Sequence, residues 1–282
     1  MEKIITEKML SDYRIHLMEE EKSSATIEKY MRDLKKLVNF MGKEEVTKLR
    51  MIAFKEKLLH TDGYKISSVN SYLVAANRFL EYQGWYDLRV KNYRVQREIF
   101  CPKDKHLSEK EYKRLVRTAN RLGKRRISMI LQTICSTGMR VSELSYLSVA
   151  AVRQGCLEVR CKGKIRMILL SEKLQRELLS YIEEKEIEEG TVFRTRSGKP
   201  VDRSNIWREM KKLCEQAEIE KSKAYPHNLR HLFAECFYAL QNDIAKLADV
   251  LGHSSIETTR IYIKTTSEEH RKQLEMMNLM CI

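Results

Sequence analysis

Side chains able to handle a phosphate group are concentrated in three separated segments of this 282-residue chain. The segments are TGMRVSEL at 137–144, HNLRH at 227–231 and LGHSSIETTRIY at 251–262. Guanidinium groups bind phosphate oxygens through paired hydrogen bonds, imidazoles exchange protons near neutral pH, and a tyrosine phenol can act as a nucleophile. Each segment is weak when taken singly, because an isolated arginine or tyrosine usually has only a structural role.

A metal site is the alternative for the second segment. His227 and His231 stand four residues apart, which places two imidazoles on one face of a helix. The zinc-protease signature H-E-x-x-H needs a glutamate directly after the first histidine, and Asn228 occupies that position. The seven cysteines form no C-x-x-C pair and so indicate no standard zinc cage. The sequence therefore predicts no metal site.

In their order and spacing, the three segments together resemble the tyrosine recombinase family, also called phage integrases. The resemblance continues through CLEVRCKGKIRMILL at 156–170, and SSATIEKYMRDLKKLVNF at 23–40 is similar to the family's core-binding domain. It covers nearly the whole chain. The resemblance implies a site-specific DNA recombinase that cuts and rejoins duplex DNA through a 3′-phosphotyrosine intermediate.

The resemblance also implies roles for individual residues. The implied catalytic residues are Arg140, Lys162, His227, Arg230, His253 and the nucleophile Tyr262. The two arginines would bind the phosphate, His227 would be the base, Lys162 the acid, and His253 would donate a further hydrogen bond to the phosphate. Glu143 stands at the position of the family's acidic partner of the first arginine. It either orients its neighbours or is a plain acid on a helix surface.

Strand exchange needs residues of these types. A phosphotyrosine conserves the energy of the broken phosphodiester for religation, and arginines offset the charge that gathers on the non-bridging oxygens. A phenol with a pKa near 10 needs a base to remove its proton, and a 5′-alkoxide leaves readily only when it is protonated. We therefore expect that neither a metal, nor a nucleotide, nor any other cofactor takes part.

Two lysines compete for the role of the acid. The hairpin is shorter than in many relatives, and Leu169 stands where relatives usually have proline. We favour Lys162 over Lys164 because Lys162 directly precedes Gly163, as the active lysine does in relatives. The segment LSVAAV at 147–152 also lacks an aspartate that is common in the family.

The residues around these segments predict a mainly α-helical protein with a small β-hairpin. Apolar residues recur every three or four positions within 1–89, which predicts a helical core-binding bundle of four or five helices. A basic linker is predicted at 90–106. Residues 107–282 are the predicted catalytic domain, a mixed α+β unit in which the hairpin turns at Gly163 and a further strand forms near VFR at 192–194.

The charge balance favours a nucleic-acid partner. Lys and Arg number 53 against 39 Asp and Glu, which gives a formal net charge of +14. No acid interrupts residues 112–126, where a helix is predicted to contact DNA phosphates, although a solvated surface explains such a run as well. The predicted DNA-binding residues are Lys110, Lys113, Arg114, Arg117 and Arg121.

Location is predicted from the apolar pattern of the chain, and assembly from the resemblance. No apolar stretch is long enough for a membrane helix, and the charged N-terminus does not resemble a signal peptide, so we expect a cytoplasmic protein without a membrane partner. The resemblance implies a homotetramer on two DNA recombination sites, in which the C-terminal tail from about Ser267 docks on a neighbouring subunit or packs on its own domain.

The subtype is expected from where the bundle begins. Because the bundle starts almost at the first residue, the chain is expected to lack the arm-binding domain of lambda-type integrases and to be similar to simple Xer-like or small-transposon recombinases. A type IB topoisomerase and a catalytically silent DNA-binding protein are the alternatives.

Overall fold

The computed structural model describes residues 3–94, 106–161, 164–262, 271 and 275–277. The chain divides into two compact units, Met1–Arg97 and Glu98–Ile282. The predicted boundaries at residues 89 and 107 lie on either side of this division, and most of the predicted linker lies outside the described residues. None of the described helices is long and apolar enough to cross a membrane.

The N-terminal unit is a bundle of helices, as the periodicity predicted. Its helices are α1 (Glu7–Glu19), α2 (Ser24–Met41), α3 (Lys48–Glu56) and α4 (Ile66–Tyr82). A single π-helical turn continues α3, and a 3₁₀ turn follows α4. Ser23 and Thr47 are the N-caps of α2 and α3, because their side chains accept hydrogen bonds from backbone N–H groups of the first turn. The apolar faces meet around Leu37, Leu73 and Phe79, which are fully buried.

The C-terminal unit contains eight further α-helices in the part of the chain that the structure describes. They are α5 (Glu109–Arg121), α6 (Arg125–Thr137), α7 (Val149–Gln154), α8 (Glu172–Glu184), α9 (Arg203–Gln216), α10 (Pro226–Gln241), α11 (Ile244–Leu251) and α12 (Ile256–Arg260). Helix α6 is central, because most of its residues are buried and α5, α8 and α10 pack against it. A 3₁₀ helix, Val141–Tyr146, follows α6. A capping box between Ser108 and Glu111 starts α5, where S-E-K-E predicted a helix.

A two-stranded antiparallel sheet forms the predicted hairpin. Strands β1 (Cys156–Cys161) and β2 (Lys164–Leu169) pair so that Val159 lies opposite Arg166. Successive side chains of a strand point to opposite faces. The inward face of β2 therefore carries buried Ile168 and, two residues earlier, Arg166. This face connects the hairpin to the core of the C-terminal unit.

Two further predictions about the sheet have different outcomes. Lys162 and Gly163, where the hairpin was predicted to turn, lie outside the described residues. The strand predicted near 192–194 is wrong, because within 164–262 this segment makes no ladder. It makes two isolated bridges instead, Ser148 with Thr191 and Arg194 with Pro200. Helix α7 begins directly after Ser148, so the first bridge has no strand along which to extend.

Gly138 ends α6 and allows a close approach to α10. Its backbone has a φ of +63°, in the left-handed region, and a Cβ placed there would lie 2.4 Å from a ring atom of Phe233. We expect Gly138→Ala to lower the free energy of unfolding by more than the roughly 1–2 kcal/mol that a left-handed alanine costs, because the Phe233 ring must also move. Urea unfolding of the purified variant measures this difference.

Gly123→Ala is the matched control. Gly123 follows α5 with a φ of +64°, and nothing lies within 4 Å of the position that its Cβ would take. This variant should therefore show the backbone cost alone. Equal losses of stability in the two variants would mean that the close contact with Phe233 contributes nothing.

Candidate active site

The three segments singled out in the sequence come together in the C-terminal unit. Arg140 follows the C-terminus of α6, His227 and Arg230 lie in the first two turns of α10, and His253 and Tyr262 flank α12. Side-chain hydrogen bonds connect all three segments. These five predicted residues are therefore neighbours in space although they are far apart in the sequence.

Arg230 is almost fully buried, with 2% of its surface exposed. Its guanidinium donates to the backbone carbonyls of Gly138 at 2.5 Å and Leu251 at 2.7 Å, and to Nε2 of His253 at 2.9 Å. Burial and the neighbouring charge of Arg140 lower the pKa of Arg230 to about 10, which leaves it charged at neutral pH. These three acceptors are uncharged, so no carboxylate among the described residues pairs with Arg230.

Arg140 is fixed by hydrogen bonds and is still partly exposed. Its backbone N–H donates to Oε2 of Glu143 at 2.6 Å, and its Nη1 donates to Oε1 of the same carboxylate at 3.0 Å. Nη2 contacts the carbonyl of Gly252 at 3.5 Å. Since 34% of the side chain is exposed, Arg140 has a fixed position and remains accessible to a ligand.

Glu143 is shared by two arginines. Besides the bonds from Arg140, it accepts a hydrogen bond at 2.6 Å from Nη2 of Arg166 on β2. Burial alone would raise the pKa of Glu143, but the N–H of Arg140 and the charge of Arg166 hold the pKa below its usual value. Glu143 is 3% exposed, so it is not the surface acid that the sequence left open as an alternative.

Arg166 is a residue of the site that the sequence analysis missed. Its Nη1 donates to the carbonyl of Val250 at 2.5 Å, and its Cδ lies 2.4 Å from the position that a Cβ on Gly252 would take. The signal lay in the strand register. Arg166 stands two residues before buried Ile168, so a charged side chain occupies the inward face of a strand.

His253 is held in one tautomer. Its Nε2 accepts from Nη2 of Arg230, since an arginine can only donate, and its Nδ1 lies 2.9 Å from the Thr259 hydroxyl. Nδ1 therefore carries the proton and donates to Thr259. Burial and the charges of Arg230 and Arg140 lower the pKa of His253 to about 4, so the ring is neutral at neutral pH. In this state Nε2 accepts a hydrogen bond, whereas the predicted bond to phosphate requires it to donate.

The Tyr262 hydroxyl lies 3.3 Å from Nε2 of His227. The Tyr262 ring stacks on the His253 ring with an interplanar angle of 16° and packs in an apolar cluster that includes Leu251, which leaves 3% of the residue exposed. Burial and the charge of Arg230 lower the pKa of His227. At neutral pH the His227 ring is therefore neutral, and its Nε2 can accept the phenol proton.

The second histidine of the HNLRH segment faces a different set of residues. His231 packs beside the Tyr262 ring, with centroids 4.8 Å apart, and its Nδ1 is 3.2 Å from Oε1 of Glu235. Among the described residues, a cation could be surrounded only by His106, His231 and Glu235, whose ligand atoms lie within 4.8 Å of one another. Zinc bonds of about 2.0–2.2 Å would bring such atoms to about 3.5 Å, so the three side chains must move to hold an ion.

A cavity of about 270 Å³ opens beside these residues. Its lining residues are Met139, Arg140, Val141, Ser142, Arg203, Pro226, His227 and Arg230. Three of these eight residues are arginines, so the cavity suits an anion such as phosphate. Arg203, the first residue of α9, is a further arginine of the site that could not be predicted, because a lone arginine after an N-cap belongs to no motif.

The predicted DNA-binding residues lie on the exposed face of α5, opposite buried Leu115. Lys113 forms an ion pair with Glu109 at 2.5 Å, which reduces the charge that it offers to a phosphate. The other exposed cations of this face are Lys110, Arg114, Arg117 and Arg121. Their contact with DNA stays a prediction.

Three predicted features fall outside the described residues. They are Lys162, the side chain of Lys164 and most of the tail from Ser267. The backbone of Lys164 begins β2 opposite Cys161. The choice between the two lysines and the docking of the tail therefore stay predictions.

The lowered pKa of His253 has a consequence for stability. The unfolded chain binds a proton to this ring near pH 6.5, whereas the folded protein binds it only near pH 4. Protonation in that window favours the unfolded state, so His253 lowers stability as the pH falls below about 6.5. The variant His253→Gln keeps a donor and an acceptor but does not titrate. Between about pH 7.5 and about pH 5, we expect its free energy of unfolding in urea to fall by less than that of the wild type. An equal loss, or the same change in the exposed-histidine control His60→Gln, would contradict this assignment.

The sequence matches two family models. Residues 105–269 match the phage integrase family, and residues 10–85 match the phage integrase N-terminal SAM-like domain. The tyrosine recombinase XerA of Pyrococcus furiosus is 29% identical over 99% of this chain and 97% of the relative. The tyrosine recombinase XerD of Staphylococcus saprophyticus is 31% identical over 89% of this chain and 91% of the relative.

Solved structures share the fold. The crystal structure of XerA recombinase matches with a TM-score of 0.55 at 28% identity, over 98% of this chain and 100% of that chain. A lambda integrase dimer bound to a COC′ core site matches with a TM-score of 0.71 at 18% identity, over 92% of this chain and 77% of that chain. The mainly helical fold with one small hairpin is therefore that of the tyrosine recombinases. Since the family model also matches more than half of the sequence, this chain belongs to the phage integrase family.

Proposed function

We propose that this protein is a site-specific DNA recombinase that cuts and rejoins duplex DNA through a 3′-phosphotyrosine on Tyr262. The observation that carries the proposal is the contact between the Tyr262 hydroxyl and Nε2 of His227, beside a cavity lined by Arg140 and Arg230. A nucleophile, a proton acceptor and two phosphate-binding cations thus share one small site. The names of the XerA and XerD relatives support the same activity.

Cleavage begins when a DNA phosphate enters the cavity. Arg140 and Arg230 bind the non-bridging oxygens, and the anion offsets the repulsion between the two guanidiniums. The Tyr262 oxygen attacks phosphorus while its proton passes to Nε2 of His227. The bond from phosphorus to the 5′-oxygen breaks, and Lys162 gives that oxygen a proton. The products are a 3′-phosphotyrosine and a free 5′-hydroxyl.

Rejoining reverses these steps on a second strand. A 5′-hydroxyl attacks the phosphotyrosine, its proton returns to the lysine, and the released Tyr262 phenolate regains a proton from His227. One phosphodiester is broken for each one that is made, so no nucleotide is consumed. The arginines supply the positive charge that metal ions supply in other phosphoryl-transfer sites, and we therefore propose a reaction without a metal cofactor.

We propose that His253 changes its hydrogen bonding when DNA binds. In the free site, burial and two arginines hold its pKa at about 4. The negative charge of a bound phosphate offsets that field and raises the pKa. The protonated ring can then donate from Nε2 to a non-bridging oxygen while Nδ1 keeps its bond to Thr259. This change reconciles the accepting state of the free site with the donor role that the family resemblance implies.

The alternative functions fit these observations less well. A type IB topoisomerase uses the same phosphotyrosine chemistry, but the relatives that match most of this chain are named recombinases. A catalytically silent DNA-binding protein would not need a buried phenol against His227 next to two cations whose positions are fixed by hydrogen bonds.

Duplex DNA recombination sites are the proposed partner, and the exposed cations of α5 are proposed phosphate contacts. Residues 1–89 would serve as the core-binding domain, 90–106 as a basic linker and 107–282 as the catalytic domain. We further propose a homotetramer on paired sites in the cytoplasm, assembled through the tail from Ser267. A lambda integrase tetramer bound to a Holliday junction has a TM-score of 0.71 to this chain at 17% identity, which supports the proposed tetrameric state.

Tyr262→Phe tests the nucleophile. The variant should bind DNA from the flanks of its own gene as the wild type does, because only the phenolic oxygen is lost, and it should form no covalent adduct. Denaturing gel electrophoresis of quenched reactions measures the adduct. Tyr238→Phe, which removes a hydroxyl next to the same apolar cluster, should form the adduct normally. An adduct on the Tyr262→Phe protein would show that another residue is the nucleophile.

A sulfur-containing substrate tests the two lysines. A 5′-bridging sulfur leaves as a thiolate without protonation, so the general acid becomes dispensable. Lys162→Ala should be slower on normal DNA by on the order of 10²- to 10⁴-fold and largely restored on 5′-phosphorothiolate DNA, as measured by the rate of adduct formation. Lys164→Ala should show a smaller defect without selective restoration.

Arg140→Ala is the control for this experiment. The Arg140 side chain is proposed to bind the non-bridging oxygens, so a change of the leaving atom should not restore the activity of this variant. Restoration of Lys164→Ala instead would move the acid to Lys164. If the sulfur restores neither lysine variant, the hairpin lysines stabilise phosphate charge and do not transfer a proton.

A further inference from the structure

We propose that Arg166 is a positioning residue that holds the lysine hairpin against the phosphate-binding side of the site. The inference deepens the proposed function and rests on it, because it concerns the delivery of the hairpin acid. Arg166 itself is not placed among the residues that touch the phosphate. Its proposed action is on the lysine that follows β1.

Arg166 connects the hairpin to two other segments of the site. From β2, Nη2 donates to Glu143 at 2.6 Å and Nη1 donates to the Val250 carbonyl at 2.5 Å. Glu143 in turn binds Arg140, and Val250 lies three residues before His253. Of the hairpin side chains that the structure describes, Arg166 alone bonds to these segments.

Close packing fixes the position of Arg166 further. Its aliphatic Cδ lies where Gly252 leaves room, 2.4 Å from the place of a Cβ, so even alanine at 252 would displace the side chain. Only 13% of the side chain is exposed. The hairpin therefore cannot move away from the site without breaking both hydrogen bonds of this guanidinium.

Packing alone does not explain an arginine at this position. The next inward residue of β2 is buried Ile168, and an apolar side chain would fill such a position without the cost of desolvating a charge. A planar guanidinium adds what an apolar side chain lacks, which is two hydrogen bonds in a fixed geometry. Arg140 by itself already donates two hydrogen bonds to Glu143. The special contribution of Arg166 is therefore to the placement of the hairpin.

The hairpin lysine lies a short length of chain away. Lys162 precedes Arg166 by four residues, which span at most about 14 Å. A displacement of about 1 Å in a reacting group can lower a rate by about 100-fold. Loss of the two Arg166 hydrogen bonds should therefore impair protonation of the leaving oxygen more than it impairs phosphate binding or attack by Tyr262.

The test compares adduct formation on normal and 5′-phosphorothiolate DNA from the flanks of the gene. Arg166→Ala should be slower than the wild type by roughly 10- to 100-fold on normal DNA and return to within a few-fold of it on the sulfur substrate, as Lys162→Ala does. Arg166→Lys, which keeps the charge but lacks the planar fork, should show a smaller defect with the same restoration. Arg160→Ala is the matched control, because this exposed hairpin arginine pairs only with Glu158 among the described residues.

The outcomes separate the inference from the proposed function. A wild type that forms no adduct overturns both. If the lysine variants behave as expected but Arg166→Ala is slow on both substrates, like Arg140→Ala, Arg166 acts on the phosphate side and the inference is overturned. Wild-type rates on normal DNA overturn it as well. Restored activity on sulfur shows by itself that Arg166→Ala is folded, and if that variant does not fold, the pattern of Arg166→Lys decides.

Discussion

Mutual repulsion among three neighbouring guanidinium groups, two of which share one buried carboxylate, is the constraint on which the site depends. The groups belong to Arg140, Arg166 and Arg230, and the carboxylate to Glu143. Backbone carbonyls at the C-terminal ends of α6 and α11 hold the arginines, from Gly138, Val250, Leu251 and Gly252. Such carbonyls lack partners within the helix and carry the negative end of the helix dipole. They fix the cations without neutralising them, which leaves net positive charge for a phosphate.

The same arrangement explains the histidines and the glycines of the site. Burial and the positive charge of the three arginines keep His253 neutral, with a pKa of about 4. They favour the tautomer in which Nε2 accepts a hydrogen bond from Arg230. Both helix ends must expose their carbonyls to the arginines at short range. Gly138 and Gly252 make this possible, since each adopts a positive φ and each lies where a Cβ would contact a neighbouring side chain.

The parts of this site that could be predicted from the sequence are those with local signals. Helices α2 and α5 are predicted by the periodicity of their apolar residues and by their capping residues. Arg140 and Tyr262 lie in short segments whose order and spacing are characteristic of tyrosine recombinases. Arg166 was missed because its partners, a carboxylate oxygen of Glu143 and the backbone carbonyl of Val250, are 23 and 84 residues away in the chain. The strand predicted near 192–194 failed for a related reason. Apolar residues there reach the core as irregular chain, since the segment opposite becomes a helix.

The depth at which Tyr262 is buried also bears on the safety of the reaction. A protein that stores a broken DNA strand on one of its own side chains must keep that ester away from bulk solvent. Hydrolysis would leave a permanent nick that the enzyme could not reseal. A phenol packed between an imidazole and an apolar wall excludes water from one side of the linkage. In the proposed mechanism, the burial of Tyr262 thus favours the hydroxyl of a DNA end over water as the second attacking group.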